Sequence, residues 1–149
     1  MDITESLRTN LEGAFLLPRE AVDLLLMVFH VTQTFDDYAD GDEVSRDDLN
    51  ALIWDTMVAI PENRFYRMYS DKLVPVIATC ILKWQGSDMA ERNGQAGAMA
   101  YSWRAGFYDL VLFVFSLVHG PTVAIQNSLT IMSLYGESFE DYMKEFDNA

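Results

Sequence analysis

Apolar residues recur along this chain at three- and four-residue spacing, and the punctuation between the runs predicts helices throughout and no strand. A first helix over about 4–14 places Ile3, Leu7, Leu11 and Phe15 on one side. Pro18 suits the opening turn of a second helix, which runs to about residue 35 through Val22, Leu25, Leu26, Phe29 and Val31. Ser45 with Asp48 is a capping pair, and the helix that it opens carries Leu49, Ile53, Met57 and Ile60 before Pro61 stops it. The stretch "PENRFYRMYS" predicts a short helical piece. A longer helix is expected over about 73–92, with Pro75 tolerated in its first turn.

After the turn signal "RNGQ", a sixth helix is expected over about 95–118, closing at Gly120-Pro121. A seventh, over 121–135, ends at Gly136, and Ser138 is placed to cap the acidic C-terminal stub. Connections this short favour neighbouring helices packed antiparallel. The expected fold is all-α, a single compact bundle of about six to seven helices forming one domain over residues 1–149.

Composition narrows the partners. Half of the 149 residues are apolar, and 23 acids against 10 bases give a formal charge of −13. Binding to nucleic acid needs clustered Lys and Arg, so no direct nucleic-acid binding is expected. Such a charge suits a divalent cation or a basic partner protein, and it makes copies of the chain repel one another. The longest apolar runs, such as "AVDLLLMVFHV" and "DLVLFVFSLV", are near half of the ~20 residues that a membrane span needs, so no membrane association is expected. "MDITESLRTNLEG" has neither the basic start nor the apolar run of a secretory signal, and the chain reads as soluble and not secreted. Cys80 is the single cysteine and sits in an apolar run, where it reads as a small buried hydrophobe. Trp54, Trp84, Trp103 and Phe107 fall at helical spacing and read as core.

Candidate chemistry centres on "DDYADGDEVSRDD", which packs seven carboxylates into the thirteen positions from Asp36 to Asp48 against Arg46. If the second helix continues past Phe35, Asp36 and Asp40 lie one turn apart on one flank with Asp37 beside them. Three such acids repel each other unless a cation sits between them, and Mg2+ or Mn2+ is the ion expected. Alternatively, an EF-hand register with Gly41 at the turn puts Asp36, Asp40, Asp42 and Asp47 at ligand positions, although Tyr38 then occupies another. As a third possibility, Asp40-Gly41-Asp42 is a plain turn, Asp47 and Asp48 favour the next helix N-terminus, and Asp36 and Asp37 are solvated.

Further along the second helix, His30, Gln33 and Asp37 share a face leading into these acids, in reach of a bound ligand. In "AYSWRAGFYDLVLFVFSLV", Arg104 and Asp109 are the only charges, so the Asp109 carboxylate has to be paired, hydrogen-bonded or protonated. It is expected either to complete a metal site or to pair with an arginine such as Arg64 or Arg67. Gly106, three residues before it, would let another helix or a ligand approach closely. Ligand phosphate would meet Arg104 or Arg64.

The motif "DDYAD" resembles the aspartate-rich DDxxD motif of class I isoprenoid synthases, all-helical enzymes that hold a diphosphate through Mg2+. The resemblance covers this motif and the helical class, and the chain shows no clear second metal motif of that family around Asp109. "FDDYADGD" followed by "WRAGFYDLVLFV" also looks like a pattern from small tailed-phage proteins, which implies the cytoplasm of an infected bacterium or a virion.

Two functions follow as expectations. In the first, Asp36, Asp37, Asp40 and Asp109 hold Mg2+ or Mn2+ and act on a phosphate- or diphosphate-containing ligand. In the second, the chain is a non-catalytic acidic interaction protein, a virion component or an inhibitor of a host protein. The first requires those four acids to converge on one cavity, and the second spreads the acids over the surface.

Overall fold

The computed structural model describes residues 2–147. Among them the protein is all-α, 84% helical and without a strand. Contacts divide the chain into two compact units, Met1–Ser70 and Asp71–Ala149.

In the first unit, Asp2 caps α1 (Ile3–Thr9) by accepting the Glu5 N–H at 2.7 Å. The helix continues as a π-helical turn, Asn10–Ala14, and ends where Leu16 turns left-handed at φ 50° and the Leu17 N–H donates to the Leu11 carbonyl. Leu7, Leu11 and Phe15 are buried as their spacing predicts, while Ile3 is exposed. Pro18 stands immediately before α2 (Arg19–Ala39), whose Val22, Leu25, Leu26 and Phe29 are buried with Ala21 and Leu24. Arg8 pairs with Glu12 at 2.9 Å one turn along and with Asp23 of α2 at 3.2 Å, and the second pair ties the two helices.

Ser45 caps α3 (Arg46–Trp54) by accepting the Asp48 N–H at 3.0 Å. A π-helical turn, Asp55–Ala59, and α4 (Ile60–Glu62) extend it until Asn63 turns extended after Pro61. No residue from Arg46 to Glu62 is buried.

α5 (Arg64–Arg92) holds both the short helical piece expected in "PENRFYRMYS" and the longer helix that sequence places at about 73–92, divided by non-helical backbone at Tyr69 (φ −120°, ψ 18°), next to the division between the units. Pro75 therefore lies beyond the first turn after the interruption. Its ring carries no N–H, so the usual helical bond from position 75 to the Asp71 carbonyl is not made.

In the second unit, the single helix expected over 95–118 is two helices. α6 (Ala98–Arg104) ends at Ala105, and α7 (Phe107–His119) starts at once beyond Gly106. Gly106 is buried against α5, and a Cβ there would stand 3.1 Å from the Cys80 carbonyl oxygen and 3.4 Å from the Cys80 Cα. The close approach legible in Gly106 is real, and it coincides with the break.

Gly120 (φ 88°) separates α7 from α8 (Pro121–Met132), which ends through a 3-10 turn, Ser133–Tyr135, at the left-handed Gly136. Ser138 accepts the Asp141 N–H at 3.1 Å and starts α9 (Phe139–Asp147). This last helix is anchored by Tyr142, fully buried among the rings of Tyr101, Phe139 and Phe146.

Cys80 is half-buried on α5, and burial, reinforced by the Asp109 carboxylate, pushes its thiol up to about 11. At pH 7 such a thiol is roughly one part in ten thousand thiolate, against a few per cent for an ordinary cysteine. Native Cys80 is therefore expected to react with a thiol reagent on the order of a hundredfold more slowly than in denaturant. Its native rate should climb about tenfold per pH unit up to pH 10. A native rate within a few-fold of the denatured one would place this face of α5 in free solvent.

Candidate functional site: the acidic connection and the cleft beside it

α2 runs four residues past the end expected from its apolar pattern, so Asp36 and Asp37 stand on its last turn and Asp40 is its C-cap residue. The Asp40 N–H donates to the Asp36 carbonyl at 2.9 Å, and the Asp42 N–H to the Asp37 carbonyl at 2.8 Å. Gly41 takes φ 79°, which makes Asp40-Gly41-Asp42 the turn that an Asp-Gly-Asp sequence favours. Asp47 and Asp48 stand in the first turn of α3, where a helix N-terminus attracts carboxylates. Local backbone chemistry thus accounts for much of the acidic stretch.

His30, Gln33 and Asp37 do share a face. With Val31 and Thr34 of α2, and with Asp48, Leu52 and Asp55 from α3 and the turn after it, they line an open cleft of about 160 Å3. His30 is exposed and its Nε2 lies 3.1 Å from the Thr4 hydroxyl, so the imidazole is hydrogen-bonded to α1. Asp55 is the charged cleft residue that sequence reasoning missed. It lies seven residues after Asp48, two helical turns on, and that spacing could have pointed to it.

Of the four acids expected to hold a metal ion, Asp36, Asp37 and Asp40 lie in the first unit and Asp109 in the second. Asp109 pairs with Lys83 at 2.7 Å, both side chains about one-third exposed. Its partner is a lysine of α5 rather than Arg64 or Arg67. The break at Gly106 also places Asp109 in the first turn of α7, where the helix N-terminus favours its charge. Among the described residues, no group of three or more His, Cys, Asp or Glu side chains comes together in a way that could hold a metal ion.

Arg104 is held inside its own unit. It pairs with Glu145 at 3.4 Å and Glu91 at 3.8 Å, and its guanidinium lies 5.5 Å from the centre of the Tyr142 ring. Burial opposes its charge, but Glu137, Tyr135, Glu91 and Glu145 around it keep its pKa above the ordinary arginine value. The Tyr142 hydroxyl donates to Glu91 at 2.9 Å, and the Tyr135 hydroxyl to Glu137 at 2.6 Å. Burial first, and then these carboxylates, push both phenols well above the usual range. Arg64 is exposed on the first turn of α5.

The expectation of Trp54 and Trp103 as core is corrected, since both are exposed. For Trp54 the physical reason is that its helix buries nothing. Leu49, Ile53, Trp54 and Met57 are 49%, 64%, 61% and 72% exposed. Among the described residues no helix is long and apolar enough to cross a membrane. No protein-family model, curated protein or solved structure matches the chain.

Proposed function

We propose that this is an acidic helical interaction protein without catalytic chemistry of its own, whose first unit binds the basic surface of a partner protein. The observation that carries this reading is the placement of the four candidate acids. Asp109 is engaged by Lys83, and Asp36, Asp37 and Asp40 follow the last turn and cap of one helix. Charge supports it as well. The first unit holds 14 Asp and Glu against five Arg and no Lys, a net −9, whereas the second holds nine acids against five bases. A field of that sign speeds the encounter with a basic protein. The resemblance to tailed-phage proteins supports a host or phage protein as the partner, met in an infected bacterial cytoplasm or in a virion.

Thermal melts in MgCl2 and in NaCl of equal ionic strength test this against the metal-binding alternative. Under the proposed function both salts only screen repulsion among the acids, so they raise the melting temperature equally. The Asp36→Asn/Asp37→Asn/Asp40→Asn variant should melt at the same temperature as the wild type or higher, because like charges have been removed. A bound ion would instead add about 2.7 kcal/mol at a hundredfold excess over Kd. A Mg2+ response beyond that of NaCl, abolished in the triple variant, would replace the interaction reading with a metal site.

A further inference from the structure

The helical stretch from Arg46 to Glu62 is unusual in its unit for burying no residue. Leu49, Ile53 and Met57 recur every four residues, the spacing that lines one face of a helix, and Trp54 stands at their side. All four side chains are about half exposed or more. A stripe of this kind spans roughly 12 Å along the helix, about two turns, the footprint of a partner helix lying alongside. The same stretch carries Asp47, Asp48, Asp55 and Glu62 against Arg46.

Charge complementarity decides what covers the stripe. A second copy of the chain would bring two units of net −9 together, and that repulsion opposes pairing. A partner with lysines or arginines on either side of an apolar stripe meets attraction at long range and loses apolar surface to the contact.

We propose that the Leu49–Ile53–Met57 stripe, with Trp54 beside it, docks a cationic amphipathic helix of a partner protein. This rests on the interaction reading above and names the form that the partner takes. The acids steer the helix in, and the apolar side chains hold it. Affinity is therefore sensitive both to salt and to loss of the apolar groups.

The test is calorimetric titration of the full chain with a synthetic leucine–lysine helical peptide that has one leucine stripe. A second peptide replaces every lysine with glutamate. The variant Leu49→Ser/Ile53→Ser/Met57→Ser keeps the charge and alters only exposed side chains, and circular dichroism checks its fold. A control variant, Leu82→Ser/Ile125→Ser/Leu129→Ser, removes exposed apolar groups of the second unit. The expected result is binding of the lysine peptide that weakens about tenfold or more in the stripe variant, the effect of about 1.4 kcal/mol. Binding should be kept in the control variant and absent for the glutamate peptide. The single variant Ile53→Arg, which puts a like charge against the peptide, should weaken binding in the same direction.

Binding of the lysine peptide that ignores the stripe variant would overturn the docking surface and leave an acidic interaction protein standing. Absence of binding, or equal binding of both peptides, would overturn it too. So would a concentration-dependent dimer of the free protein that the stripe variant abolishes, since the occupant would then be a second copy. Failure of the interaction reading itself shows separately, as the Mg2+-specific stabilisation described above.

Discussion

Replacing Tyr142 with alanine is expected to destabilise the second unit by about 3–5 kcal/mol, the usual cost of emptying a buried aromatic site. The ring is fully buried, with centroids of Phe146, Tyr101 and Phe139 at 5.0, 5.4 and 6.4 Å. It is also the buried residue of α9, so the truncation removes what holds that helix. Arg104 loses the ring face under its guanidinium, and Glu91 loses a donor. Tyr142→Phe keeps the ring and removes only the hydroxyl, with an expected cost of about 1 kcal/mol.

The phenol also makes stability depend on pH. The folded-state pKa of Tyr142 is raised above that of the unfolded chain, so the folded state holds this proton more tightly. The associated stability is full below the unfolded value of about 10 and is lost as pH rises from there towards the folded value. Wild type should therefore lose stability above pH 10 more steeply than Tyr142→Phe. Urea unfolding followed by circular dichroism measures both effects. A loss under about 1 kcal/mol for Tyr142→Ala would mean that α9 is not anchored by this residue.

Local chemistry was the legible part of this fold. Ser45, Pro18, Ser138 and Gly136 each mark a helix end that the structure reproduces, because a capping side chain, a proline ring that fixes φ or a left-handed glycine acts within a few residues of itself. What covers a helix was not legible. Leu7 of α1 and Leu11 of the π-helical turn that continues it, and Leu49 and Ile53 of α3, recur at the same four-residue spacing, yet the first pair is buried and the second exposed. Periodicity reports that one side is apolar and says nothing of its neighbour.

The same holds for the candidate site. The helical face shared by His30, Gln33 and Asp37 could be read from spacing along one helix, and all three line one cleft. The partner of Asp109 is Lys83, 26 residues away, and only packing selects it from the other bases of the chain. The ends of α6 and α7 were missed for a related reason. "WRAGFYDL" has no proline and carries good helix formers, and the break falls where Gly106 meets the backbone of α5.

That contact makes Gly106 the position where the smallest change in mass has a large expected effect. A methyl group there would lie 3.1 Å from the Cys80 carbonyl oxygen and 3.3 Å from that of Trp103, both of them backbone atoms that cannot rotate away. Gly106→Ala is therefore expected to cost about 1–3 kcal/mol as α5 and α7 move apart, despite the entropy that alanine saves in the unfolded chain. Gly13 supplies the contrast, since a Cβ at that helical glycine meets nothing within 4 Å. Gly13→Ala should leave stability unchanged or raise it by up to about 1 kcal/mol. A second readout follows from geometry: the backbone pushed aside belongs to Cys80, whose thiol is held up by burial. Gly106→Ala should accelerate native labelling of Cys80, whereas Gly13→Ala should not. If Gly106→Ala were neutral in urea unfolding and left the labelling rate unchanged, the two backbones would not be in contact at this point, and the break between α6 and α7 would need another cause.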